Sequence, residues 1–125
     1  MIRFIACLKQ RDDVNDLQFR QFFEQAPDDT TFKNLLTLFQ VDEHRISLTL
    51  KVEAQQELRE RMAGEQEPFD AILELIWYLP RDLLALAQSS QGEELIQQLD
   101  TFIHQVADHK RSVGFFTPYR SQSNS

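Results

Sequence analysis

Pro68-Phe69-Asp70-Ala71-Ile72-Leu73-Glu74-Leu75-Ile76-Trp77-Tyr78-Leu79-Pro80, followed after two helical blocks by Ser112-Val113-Gly114-Phe115-Phe116-Thr117-Pro118, decides the fold. It reads as strand, long crossover, strand. Side chains alternate sides along a strand. One face of 70–79 carries Ala71, Leu73, Leu75, Trp77 and Leu79, and the other carries Ile72, Glu74, Ile76 and Tyr78. The first face is wholly apolar and is expected to pack under helices. The second is still mostly apolar and would join Ile and Phe side chains of the first and last strands. Monomers rarely expose more than roughly 300–600 Å² of contiguous apolar surface. A homodimer stacked sheet on sheet is therefore expected, gaining about 25 cal/mol per Å² covered. The competing arrangement is a monomer in which segment 28–67 covers that face.

Upstream, residues 2–9 alternate weakly and read as a strand with two partly buried faces. Asn15 and Gln18 suit a capping box, and Phe19, Phe22 and Phe23 then share one face of a helix ending near Pro27. Asp28-Asp29-Thr30-Thr31 reads as a loop. Segments 35–41 and 46–52 both look like strands, with Asp42-Glu43-His44-Arg45 between them as the turn of a hairpin. Ala54, Leu58 and Met62 form a thin helical stripe, expected at the surface, with Gly64 closing it. Pro80 suits the first turn of a helix whose apolar side is Leu83, Leu84, Leu86 and Ala87. Ser90 and Glu93 read as a second capping box. The stripe Leu95, Ile96, Leu99, Phe102, Ile103 and Val106 is the clearest amphipathic helix. Residues 1–118 form one domain, and 119–125 a polar tail. A β-α-β-β-α-β order is the ferredoxin-like arrangement: α+β, an antiparallel sheet with helices on one face.

The balance of 20 acids against 13 bases gives a net charge of -7, which argues against a nucleic-acid partner or an anionic membrane. No apolar run approaches the ~20 residues that span a bilayer. Met1-Ile2-Arg3-Phe4-Ile5 lacks the features of a signal peptide, so a cytoplasmic protein is expected. Cys7 is the single cysteine, which leaves no intrachain disulfide. Three glycines, without a G-x-G-x-x-G, P-loop or G-x-S-x-G motif, leave no phosphate cradle.

Ile2-Arg3-Phe4-Ile5-Ala6-Cys7-Leu8-Lys9, then Leu17-Gln18-Phe19-Arg20-Gln21-Phe22-Phe23-Glu24-Gln25-Ala26-Pro27, resembles the start of EthD-like proteins. So does Phe69-Asp70-Ala71-Ile72-Leu73-Glu74-Leu75-Ile76-Trp77, followed by a helix, the break at Ser90-Gln91-Gly92, and Thr101-Phe102-Ile103-His104 before the last strand. The resemblance implies a ferredoxin-like protomer that pairs into a dimeric α+β barrel. It also implies a small cofactor-independent enzyme acting on an apolar, aromatic or carbonyl-bearing metabolite, or a non-catalytic dimeric binding or accessory protein on the same scaffold. One departure bears on this choice. The family often carries His-Ala-Pro after the first helix, and this chain has Gln25-Ala26-Pro27. Gln cannot act as a general base.

Glu74 is the leading catalytic candidate, because a carboxylate in an apolar strand has a raised pKa unless paired. The bland reading is a structural salt bridge across the dimer, with Arg3 as partner. Tyr78 shares its face and would orient a substrate. Trp77 and Phe115 are candidate substrate-binding aromatics, although strand aromatics are more often core and ten of the chain's aromatics are Phe, against two Tyr and one Trp. His104, at i+4 from Asp100, sits roughly 140° from the centre of the Leu95–Val106 stripe and reads as a solvated residue in an ion-pair ladder. His104 and His109 would splay on one continuous helix, so no metal site is expected, and no cofactor.

Overall fold

The computed structural model describes residues 1–118. Four strands form one sheet: β1 (Ile2–Leu8), β2 (Glu43–Leu48), β3 (Ala71–Trp77) and β4 (Val113–Pro118), in the order β2-β3-β1-β4 with every neighbouring pair antiparallel. Helices α1 (Asp16–Gln25) and α2 (Thr30–Leu38) join β1 to β2, and α3 (Glu53–Ala63) joins β2 to β3. Helices α4 (Pro80–Ala87) and α5 (Ser90–Ile103) join β3 to β4. This is the ferredoxin-like order with helices inserted in its connections. The expected polar tail, 119–125, lies outside the described residues.

The core forms between one face of the sheet and the helices. Ala6 and Leu8 from β1 and Ala71, Leu73, Leu75 and Trp77 from β3 are buried with Phe19, Phe23, Leu95, Leu99 and Phe102 from the helices. The expectation that the wholly apolar face of β3 lies under helices holds. The register sets Glu74 opposite Ile5 and Ile72 opposite Cys7, so these side chains share the other face. There β4 adds Val113 and Phe115, about half exposed at 51% and 46%.

Segment 35–41 is a correction. It is the second half of α2, not a strand. Asp29, read as part of a loop, caps this helix by accepting a hydrogen bond from the Phe32 N–H at 3.1 Å. Phe32, Leu35 and Phe39 then fall on one buried face. A short apolar run cannot by itself tell strand from helix; the cap and the three-residue spacing settle it. Residues 43–45, expected as the turn of a hairpin, belong to β2, which pairs with β3 rather than with 35–41.

Two further differences are local. The N-cap of α5 is Ser89, whose hydroxyl accepts from the Gly92 N–H at 2.9 Å, one residue before the expected box at Ser90. The helix also stops at Ile103 rather than running through Val106. Beyond that point the chain turns back onto the end of β1: the Arg11 N–H donates to the Val106 carbonyl and the Asp108 N–H donates to that of Lys9. The capping box of α1 is present with both of its bonds, Gln18 N–H to Asn15 and Asn15 N–H to Gln18. As expected, α3 lies on the surface with no buried residue, and Gly64 at φ +94 ends it.

Candidate functional site

A cavity of about 660 Å³ lies between the helix-covered face of the sheet, along β1 and β4, and the pair α4–α5. Its walls are almost entirely apolar. Phe4, Trp77 and Phe116 form an aromatic side, with ring centroids 4.9 Å apart for Phe4–Phe116 and 6.5 Å for Trp77–Phe116. Gly114 makes this possible. A Cβ there would stand 2.8 Å from the tip of the Phe4 ring, so the ring lies where a side chain would otherwise be. The Trp77 Nε1–H donates to the Phe39 carbonyl at 2.8 Å, which satisfies the buried indole and holds its plane against the cavity.

Four side chains bring polarity to this wall: Asp100, His104, His109 and Ser112. Ser112 is committed to structure, because its hydroxyl donates to the Asp108 carbonyl and accepts from the Lys9 N–H. The other three form a cluster. His104 Nδ1 lies 2.9 Å from Asp100 Oδ1 and 2.7 Å from the Asp100 carbonyl oxygen. His109 Nδ1 lies 3.5 Å from the same Oδ1, and the two imidazoles meet edge to face at 4.8 Å. Both oxygens facing His104 Nδ1 are acceptors, so Nδ1 carries the proton in the neutral ring and Nε2 holds the lone pair. An imidazole held at Nδ1 by a carboxylate is the orientation a general base needs.

The cluster exists because α5 ends at Ile103. His104 is the C-cap residue, not a position in mid-helix, and the chain reverses through 105–108 to bring His109 back over Asp100. The helical-wheel argument that set His104 in solvent and splayed the two histidines assumed a helix that continues. The i, i+4 spacing of Asp100 and His104 was the one signal in the sequence that pointed to the pair.

The sequence-derived candidates divide between the two faces of the sheet. Trp77 is on the cavity wall. Glu74 is on the opposite, open face, where its carboxylate is 3.3 Å from Arg3 Nη1. Phe115 is on that open face as well, while its neighbour Phe116 faces the cavity. Tyr78 lies just beyond the end of β3 and is 45% exposed, with its backbone N–H donating to Asp42 Oδ2. Gln25, at the family's His position, is exposed and is not one of the residues that line the cavity. Asp70 is structural: it accepts from the Gln10 N–H at 2.7 Å and pairs with Lys51 at 3.0 Å. Cys7 lies on the open face, and partial burial raises its thiol pKa, which keeps it protonated and unreactive. Among the described residues no helix is long and apolar enough to cross a membrane.

No protein-family profile and no curated protein sequence matches the chain. Solved structures do match over nearly its whole length. An EthD (ethyl tert-butyl ether D) family protein from Bacillus halodurans superposes with a TM-score of 0.55 at 12% identity, covering 96% of this chain and 99% of that one. A dimeric protein of unknown function and ferredoxin-like fold from Bacteroides fragilis gives 0.54 at 10% identity, covering 94% and 95%. The hydroxynitrile lyase from Passiflora edulis gives 0.51 at 12%, covering 96% and 95%. The chain is thus similar in fold to an EthD family protein, with the ferredoxin-like α+β architecture that the resemblance of its β1, α1 and β3 segments implies.

Proposed function

We propose that the protein is a homodimer that binds an apolar, aromatic or carbonyl-bearing molecule in the cavity between sheet and helices, and that His104, oriented by Asp100, moves a proton on it. The observation that carries this reading is the Asp100–His104 contact at 2.9 Å on the wall of an otherwise apolar cavity of about 660 Å³. That volume lies within the range of small-molecule sites, which are mostly apolar with a few convergent polar groups. The wall offers aromatic faces for a planar ligand and one imidazole lone pair for its acidic proton. The chemistry that fits is proton abstraction beside a carbonyl or from a hydroxyl. As Nε2 takes the proton, Asp100 stabilises the imidazolium that forms. The occurrence of a hydroxynitrile lyase on the same fold supports small-molecule chemistry by analogy only, because one fold hosts many functions.

The dimer rests on the open face. Ile5, Cys7, Ile72, Val113 and Phe115 line it, and none belongs to the helix-covered core. The buried residues of α2 lie in the helix-side core and α3 buries nothing, which supports a second copy over segment 28–67 as the cover. The Bacteroides fragilis protein of the same fold is described as dimeric. In this reading Glu74 and Arg3 are an ion pair at the subunit interface, and Glu74 has no catalytic part.

Trp77 is the only tryptophan of the chain and stands on the cavity wall, so its fluorescence reports occupancy directly. Titration with aryl ketones and aryl aldehydes is expected to change this emission saturably. Exchange of deuterium into the carbon beside the carbonyl of a bound aryl ketone, followed by NMR, is expected to fall at least about 100-fold in His104→Gln while ligand binding persists. Binding without any exchange in the parent protein would assign the chain to the non-catalytic class instead. A flat fluorescence response to every probe would sink both readings.

A further inference from the structure

We propose that Asp100, His104 and His109 form a binding site for a divalent transition-metal ion of the zinc class, at the edge of the cavity. Among the described residues these three offer one donor atom each, all within 4.8 Å of one another. Zinc bound by imidazole nitrogen and carboxylate oxygen at about 2.0–2.2 Å in a tetrahedron needs donors roughly 3.3 Å apart. Asp100 Oδ1 is 2.9 Å from His104 Nδ1 and 3.5 Å from His109 Nδ1, which brackets that spacing. The remaining gap closes by rotation of the His109 ring, whose side chain is 74% exposed.

The donor set selects the ion. Two imidazoles and one carboxylate suit zinc, cobalt and nickel, whereas magnesium and calcium require oxygen ligands throughout. The position also attracts a cation. His104 caps the C-terminal end of α5, a helix of 14 residues whose last carbonyls present the negative pole of its dipole. Three protein ligands leave a fourth tetrahedral position, and the cavity adjoins it, because all three residues lie on the cavity wall.

In the metal-free protein a proton on His104 Nδ1 occupies the space between the imidazole and the two Asp100 oxygens. When the ion takes Nδ1, the ring proton moves to Nε2, and the lone pair that serves as the base there is lost. Ion binding and the proton-transfer role of His104 are therefore mutually exclusive, and zinc is expected to inhibit the exchange reaction proposed above. The site itself does not depend on that reaction.

Isothermal titration of the untagged protein with zinc is expected to give one ion per chain at micromolar concentration. Cobalt is expected to give the visible absorption of a tetrahedral complex. His109→Ala is the test variant, because an exposed side chain leaves the fold intact, which an unchanged melting temperature confirms. It is expected to weaken zinc binding by at least tenfold, and Asp100→Asn by a similar factor. Absence of zinc binding at tens of micromolar overturns the proposal, and so does binding that both variants leave unchanged. Saturable Trp77 quenching by aryl ketones, measured on the same samples without metal, keeps the two failures apart: the cavity can bind its ligand whether or not the ion binds.

Discussion

Gly92 shows how much a single residue constrains the wall of the cavity. It is the third residue of α5, where α4 turns into α5, and a Cβ there would fall 1.9 Å from the Leu86 carbonyl oxygen. Backbone cannot yield as a flexible side chain can. Gly92→Ala is expected to cost roughly 1–3 kcal/mol or more, measured by thermal or urea unfolding, because the helix pair must part to admit the methyl group. Glu74 was legible from the sequence as a carboxylate in an apolar strand, and so was the bland reading of it as a partner for Arg3. The structure forms that pair within one chain, at 3.3 Å, rather than across a dimer. Phe115 and Phe116 could not be distinguished in the same way. Both are large and apolar, and a shift of one residue exchanges the two faces of a strand. Pairing with β1, which sets Phe116 opposite Phe4 and Phe115 opposite Ile5, makes the assignment.

At the scale of elements, the informative case is α2. Its start was written in Asp29 and its face in Phe32, Leu35 and Phe39, yet Leu35 to Val41 is mostly apolar, as a buried strand would be. Its end is also unusual. Gln40 has φ +58, the left-handed conformation that glycine adopts without cost. Its N–H donates to the Thr37 carbonyl and the Val41 N–H donates to that of Leu36, both at 3.0 Å, which closes the helix in a Schellman motif. Gln40→Gly is expected to stabilise the protein by about 0.5–1 kcal/mol, since it removes the strain on a non-glycine residue and keeps both bonds; a rise in the urea midpoint at unchanged slope would show it. The end of α5 works in the opposite direction. The hydrophobic stripe continues through Val106, which is buried, although the helix has already stopped. Burial of Val106 is achieved by the returning chain, and the same return brings His109 to Asp100. Periodicity in sequence reports which residues are buried, not whether a helix or a turn buries them.

For the whole molecule, the open face of the sheet is the surface that the proposed dimer would cover. A stable interface removes roughly 1,200–2,000 Å² in total from water. Phe115, 46% exposed near the middle of β4, would lie inside such an interface. Phe115→Glu is expected to weaken dimerisation by at least tenfold, about 1.4 kcal/mol, because it sets an unpaired carboxylate against an apolar surface. Light scattering is expected to move from twice the chain mass toward 14.7 kDa at micromolar concentration. A parent protein already at the chain mass would remove the dimer altogether. The substitution leaves the cavity untouched, since Phe115 points away from it, so Trp77 fluorescence should still respond to ligand.

The sequence by itself determined the two apolar faces of β3, which of them lies under helices, the capped start of α1 and, through these, the ferredoxin-like protomer. Those signals are local: a cap, a period and an alternation are each complete within a few residues. Only the tertiary structure decided that 35–41 is the second half of α2, that Phe116 rather than Phe115 lines the cavity, and that His104 and His109 share one carboxylate. These depend on contacts across long stretches of chain, such as β1 with β3 and β4, and Lys9 with Asp108. Where the register falls and where a helix stops are settled by the packing of distant segments, and the geometry of the site follows from both.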